Sequence, residues 1–191
     1  IYTTVLAKLG IDAEIKINHR EILTALAELC GGAEKMNDIA IAIDKLDRTG
    51  LEKVSAELLQ RGLNAGQISI VEKYLGVKGS NEEILAGLNS LIGNTESGKQ
   101  GIDELKYLLE NLQPPFAKAS AGKHPTFNIQ LDPTLARGLN YYTGTIFEVK
   151  AKGVSMGSIG GGGRYDDLTG LFGVPCIPGV GISFGVDRIY D

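Results

Sequence analysis

The sequence predicts an α+β fold: an antiparallel sheet with flanking helices and a small helical subdomain inserted between its strands. Three observations predict it. Apolar residues recur at helical spacing from Leu51 to Leu112, within a region of distinct character that runs from about residue 37 to 113. On either side the pattern alternates with a period of two, in DAEIKIN (12–18) and again from Thr126 onward. A Pro/Gly/Ser-rich stretch, QPPFAKASAGKHP, closes the helical region. The expected organisation is therefore a first core segment over 1–36, a helical insertion over 37–124, and a second core segment over 125–191.

Taken in order, Tyr2, Val5, Leu6 and Leu9 mark a first helix. Ala13, Ile15 and Ile17 alternate with Glu14, Lys16 and Asn18, a half-buried strand. Asn18 with Glu21 resembles a capping box opening a helix on Ile22, Leu23, Leu26 and Leu29, which Gly31-Gly32 ends. Leu51, Val54, Leu58 and Leu59 mark the next helix, and Ile68, Val71 and Leu75 a shorter one. Ile84, Leu85, Leu88, Leu91 and Ile92 follow a Ser80/Glu83 cap, and Ile102, Leu105, Leu108, Leu109 and Leu112 mark the last. These stripes are core. Beyond them, TFNIQLD buries Phe127, Ile129 and Leu131, while Phe147 and Val149 share a face opposite Glu148 and Lys150. In GVGISFG, Val180, Ile182 and Phe184 point one way and Gly179, Gly181, Ser183 and Gly185 the other, leaving one face nearly bare.

Composition removes several function classes. The chain has 191 residues, a formal net charge of −4 and no Trp, which disfavours nonspecific nucleic-acid binding without a local basic patch. No apolar run approaches a membrane span. Cys30 and Cys176 are isolated and the histidines are His19 and His124, so no zinc spacing exists and no metal ligand is assigned. A reduced, cytoplasmic setting fits this cysteine usage best. The chain opens without Met and stops where a helix is starting, which suggests a segment of a longer polypeptide.

Polar residues in unusual places point to chemistry. LARGLNYYTGTIFEV sets Arg137, Tyr141, Tyr142 and Glu148 along a strand-like segment, where at most one of the adjacent tyrosines can face a given pocket. Gly160 to Gly163 imply unusual dihedrals, close approach of a ligand, or a mobile loop, and Arg164-Tyr165 follow directly. The bare strand face admits either a flat ligand or a closely packed helix. A dinucleotide fingerprint is excluded because Phe184 stands where a third glycine is required, and no Lys-Ser/Thr follows the glycine run to make a P-loop. The cations Lys45, Arg48, Lys53 and Arg61 suit phosphate contact, but a solvated helix face is the favoured explanation.

Together these stretches resemble a known family. RGLNYYTGTIFE is similar to the first histidine signature of histidyl-tRNA synthetases, GGGGRYDDL to their second, and GVGISFGVDRI to motif 3 of the class II synthetases. The resemblance implies a histidine–tRNA ligase, built on an antiparallel class II sheet, that makes histidyl-adenylate from histidine and ATP and transfers it to tRNA(His). It implies a catalytic and ATP-binding role for Arg137, histidine contacts from Tyr142, Tyr165 and Gly162, and ATP contacts from Gly181, Ser183, Gly185 and Arg188. Mg²⁺ is expected through the phosphates of ATP, with a homodimer for the full-length protein and no membrane partner. Asn140 replaces the usual signature Asp, and Asp187 the usual motif 3 Glu. Motifs 1 and 2 and the anticodon-binding domain have no match in these residues, so efficient aminoacylation by the 191 residues alone is not expected. The alternative is a histidine-sensing regulatory relative, such as the ATP phosphoribosyltransferase regulatory subunit; retention of Arg137, Tyr142, Arg164, Tyr165 and Arg188 favours the enzyme.

Overall fold

The computed structural model describes residues 1–112, 128–136 and 141–190. Helix α1 (Tyr2–Lys8) leads into strand β1 (Ala13–His19) and helix α2 (Arg20–Leu29). The cap of α2 is His19, not Asn18: its Nδ1 accepts from the Glu21 backbone N–H at 3.2 Å, and its Nε2 meets the Glu104 carboxylate at 2.9 Å. Asn18 is still in the strand, and its amide donates to the carbonyls of Pro133 and Leu135 at 3.1 and 3.0 Å.

The helical region begins with α3 (Met36–Ile43) and the single turn α4 (Leu46–Thr49), neither of which the apolar spacing predicts. It continues through α5 (Leu51–Gln60), α6 (Ala65–Leu75), α7 (Asn81–Ile92) and α8 (Glu96–Asn111). Reciprocal side-chain and backbone bonds form capping boxes at Asn64/Gln67 and Ser80/Glu83, each satisfying two backbone donors that a helix start leaves open. The expected closing loop, 113–125, and the residues Thr126 and Phe127 lie outside the described residues.

Strands β2 (Asn128–Leu131), β3 (Thr145–Ala151), β4 (Gly160–Tyr165) and β5 (Gly179–Phe184) complete a sheet of order β2-β1-β3-β4-β5, and α9 (Val186–Tyr190) follows. The sheet is antiparallel except at β1–β2, which run parallel. The helical stretch between them explains the exception, because a long crossover returns the chain to the end where β1 began, which a short turn cannot do. Its register puts Ile15, Val149, Gly160 and Phe184 in one row across the sheet, and Ile17, Phe147, Gly162 and Ile182 in the next. This face carries α1, whose Tyr2 and Leu6 pack with Ala13, Val149 and Ile159. The opposite face carries the row Lys16, Glu148, Gly161, Ser183.

One buried cluster runs from Ile17 and Leu131 in the sheet through Ile22, Leu23 and Leu26 of α2 to Ile39, Leu58, Val71, Leu88 and Leu105 of the helical region. Helix α2 can approach α8 closely because α8 presents Gly101, where a Cβ would lie 3.0 Å from Ile22 Cδ1. At the far edge of the sheet the face that carries α1 runs out past the packed helices, leaving Val180 and Ile182 of β5 65% and 40% exposed.

Candidate active site

The segment entering the first signature is fixed before it reaches the site. Tyr74, fully buried in α6, donates to the Pro133 carbonyl at 2.7 Å, next to the Asn18 bonds. Lys16 reaches Asp132 at 2.7 Å, and Asp132 in turn accepts from the Thr134 N–H at 3.0 Å. Burial alone would raise the Asp132 pKa, but the bonds from Lys16 and Thr134 outweigh it and hold the carboxyl below its ordinary range. Leu135 and Ala136 are buried. Arg137 and Asn140, read from the sequence as signature residues, lie outside the described residues.

Within the same signature, Tyr142 lies over β4. A Cβ on Gly163 would come within 2.9 Å of its ring, so the glycine is what lets the ring settle there. Tyr141 stacks obliquely on Tyr142 with centroids 4.6 Å apart and meets Tyr165 edge-on at 6.1 Å. The pair therefore works as one aromatic group rather than as alternating strand residues. Burial, the Tyr141 hydrogen bond and the neighbouring phenols push the Tyr142 hydroxyl up to about 12.

The glycine run is strand, not loop: β4 spans it, and positive φ is absent from Gly160 to Gly163. Close approach is the reason for the glycines. A Cβ at Gly160 would lie 2.5 Å from the Tyr2 ring, and one at Gly162 would meet the Gly181 carbonyl and, at 2.7 Å, Phe147. At Gly161 the nearest neighbour would be the Phe147 carbonyl at 3.1 Å. Arg164 turns away to Asp166, with Nε and Nη2 at 3.0 and 2.9 Å from its carboxylate.

These elements enclose a cavity of about 350 Å³. Its lining includes Tyr142, Gly162, Ser183, Gly185 and Arg188 among the residues expected from the sequence; Gly181 and Tyr165 lie outside that lining. Tyr165 covers β5 beside it, since a Cβ on Gly179 or Gly181 would fall 2.5 or 3.4 Å from its ring. Arg188 donates from Nη1 to the Ser158 carbonyl at 2.6 Å, which holds the guanidinium at the cavity wall. Glu148, buried at 6% exposure, is the carboxylate among the described lining residues. Ser158, Leu135 and Ile146 were not expected there; each reads locally as ordinary loop or core, and its place depends on sheet register.

Such a cavity offers a phenol at one end, an arginine at the other and a backbone floor between them. A flat, polar, anionic ligand can lie on that floor with its charge toward the arginine.

Three of the four cations of the helical region that the sequence offered for phosphate contact, Lys45, Arg48 and Arg61, are answered by acids. Lys45 meets Glu57 at 2.7 Å, Arg61 meets Asp38 and Glu57 at 2.6 and 2.8 Å, and Arg48 lies 3.5 Å from Asp44. They form a paired surface rather than a basic patch.

Comparison with known proteins agrees with the geometry. A profile of the family described as histidyl-tRNA synthetase matches residues 1–189, and the chain belongs to that family. It is 49% identical over 191 residues to a histidine–tRNA ligase of Bacteroides fragilis and 46% identical over 192 residues to that of Flavobacterium johnsoniae. The whole chain is covered in both, but it spans only 40% and 39% of those relatives' lengths. Among solved structures, histidyl-tRNA synthetase from Nostoc sp. PCC 7120 matches with a TM-score of 0.83 and 32% identity, over 98% of this chain and 43% of that one. A Bacillus halodurans protein described as an ATP phosphoribosyltransferase regulatory subunit/histidyl-tRNA synthetase shares the fold, with a TM-score of 0.74 at 24% identity, over 99% and 47%.

Proposed function

We propose that this chain is the catalytic portion of a histidine–tRNA ligase, carrying the histidine pocket and much of the ATP floor. The observation that carries the reading is the cavity in which Tyr142, the bare β4–β5 backbone and Arg188 converge, in a chain of this family. In the reaction proposed, a histidine carboxylate oxygen attacks the α-phosphorus of ATP, the new acyl–phosphate bond forms, and pyrophosphate departs. The nucleophile is already ionised, so the protein needs to place reactants and offset charge rather than move protons. Arg137 is assigned the α-phosphate, Tyr142, Tyr165 and Gly162 the histidine, and Gly181, Ser183, Gly185 and Arg188 the nucleotide. Arg188 suits that task because its plane stacks and its fork pairs with phosphate oxygens. Tyr142 suits an imidazole because a phenol kept neutral can donate to or accept from a ring nitrogen. Magnesium, when bound with ATP, neutralises charge on the phosphates, with Glu148 the nearest carboxylate in the described lining.

Transfer to tRNA(His) and dimerisation are proposed for the complete polypeptide, because this chain spans about 40% of its relatives. A purely regulatory, histidine-sensing role rests on fold likeness at 24% identity and is the weaker reading. The test is ATP–pyrophosphate exchange by the complete polypeptide with each amino acid in turn. Exchange stimulated by histidine alone, with the histidine KM raised roughly tenfold in Tyr142→Phe, is the expected result. Exchange indifferent to histidine would sink the proposal.

A further inference from the structure

Beneath the cavity floor, on the face away from any ligand, one side chain reaches both floor strands at once. Tyr2 of α1 lies under β4 and β5, 7% exposed, with its ring 4.6 Å from Phe184 and 6.1 Å from Phe147. Its hydroxyl accepts from the Gly161 N–H at 2.9 Å and lies 3.1 Å from the Gly161 carbonyl, and it donates to the Ser183 carbonyl. Gly161 and Ser183 are register partners, and both belong to the cavity floor. The ring reaches them because Gly160 has no Cβ; one there would stand 2.5 Å from Cε1 and 2.7 Å from the hydroxyl.

From this arrangement we infer that Tyr2 is a positioning residue for the nucleotide end of the site. It fixes the height and spacing of the backbone on which ATP is proposed to lie, and so rests on the synthetase reading. Two strands joined only by ladder bonds twist and slide relative to each other. A hydroxyl bonded to both at one register position restrains that movement, and the apolar cluster of Leu6, Ala13, Val149 and Ile159 holds the ring in turn. Placement makes the inference specific. Tyr2 lies below the Gly161–Ser183 row, toward Gly185 and Arg188, whereas Tyr142 rests on Gly163, two positions along β4. A loss at Tyr2 therefore falls on ATP and spares histidine.

The experiment is pyrophosphate exchange by the complete polypeptide carrying Tyr2→Phe, which keeps the ring and removes the hydroxyl. The KM for ATP is expected to rise about fivefold, the net effect of losing the hydroxyl's bonds to Gly161 and Ser183 as felt through the backbone, while the KM for histidine stays within about twofold, as additivity between separate sites implies. A general loosening of the fold would raise both together, and equal changes, or none, overturn the inference. Gly160→Ala is the second variant: it keeps the hydroxyl and displaces the ring, and the same ATP-selective change is expected. If the wild type shows no histidine-dependent exchange, the synthetase reading fails. The inference is then judged by calorimetry, where Tyr2→Phe must weaken ATP binding and leave histidine binding unchanged; absence of that difference overturns it.

Discussion

Tyr142 shows at the scale of one residue how the site uses burial. Its hydroxyl is pushed up to about 12 by burial and by the phenols around it, while a tyrosine in an unfolded chain titrates near 10. Between those values the folded state keeps a proton that the unfolded state has lost. Stability contributed by the neutral phenol is thus complete below about pH 10 and is lost as pH rises toward about 12. Tyr142→Phe should flatten this fall, seen as urea midpoints at pH 9 and pH 11 that differ less than in the wild type. An unchanged pH slope would show that the phenol is solvated. The sequence made this residue legible through its signature. Tyr2 had no such signal: it reads as one apolar member of an amphipathic helix, and its partners lie more than a hundred residues away.

Among the elements, legibility followed the strength of the local pattern. Helices α5 to α8 each bury one stripe, and Ser80 with Glu83 announced the start of α7. Helix α3 gave no period in sequence, because the exposed Ile41 is as apolar as the buried Ile39, Ala40, Ala42 and Ile43 around it. The parallel β1–β2 pair was not legible either, since strand direction is set by the crossover and not by alternation. Strand β4 is the extreme case. Glycine has low strand propensity and no side chain to alternate, so β3 and β5 impose its extended form through the ladder. At this scale the capping boxes are testable. Asn64→Ala and Ser80→Ala should each lower stability by about 1 kcal/mol, in additive fashion, because each cap serves its own helix. Equilibrium urea unfolding measures both, and a double variant clearly worse than the sum would mean that the two helices share their start.

Across the whole molecule, the insertion and the sheet are not independent in packing. The cluster that begins at Ile17 and Leu131 continues without a break into the helices, and Tyr74 carries a hydrogen bond from α6 to the strand side. Helix α2 is the hinge of this arrangement, touching the sheet at its start and α8 along its length. Far-ultraviolet circular dichroism, which follows the helices, and tyrosine fluorescence, which follows mainly the sheet side, should therefore give one coincident unfolding transition. Two separated transitions would show that the helical region folds alone. The same continuity explains why a site residue such as Leu135 was invisible in sequence: its position is set by Asn18, 117 positions away.

The glycine run also constrains how this chain can change over generations. In a flexible linker any one glycine can drift and the others absorb it. In β4 each position answers to a different neighbour: Gly160 to Tyr2, Gly162 to Phe147 and the Gly181 carbonyl, Gly163 to Tyr142 and the Thr145 carbonyl. A first substitution at 160 becomes sterically tolerable once position 2 has shrunk, so the fold couples those two positions, while the hydroxyl's bonds to Gly161 and Ser183 still oppose the change. At 162 and 163 backbone stands in the way, and no partner can yield by changing its side chain. Gly161 is the opposite case: its crowding is mild, and what a new side chain would fill is the cavity. Four identical letters thus carry unlike constraints, and an allele with a side chain at 161 is the one expected to survive as a folded protein while losing its ligand.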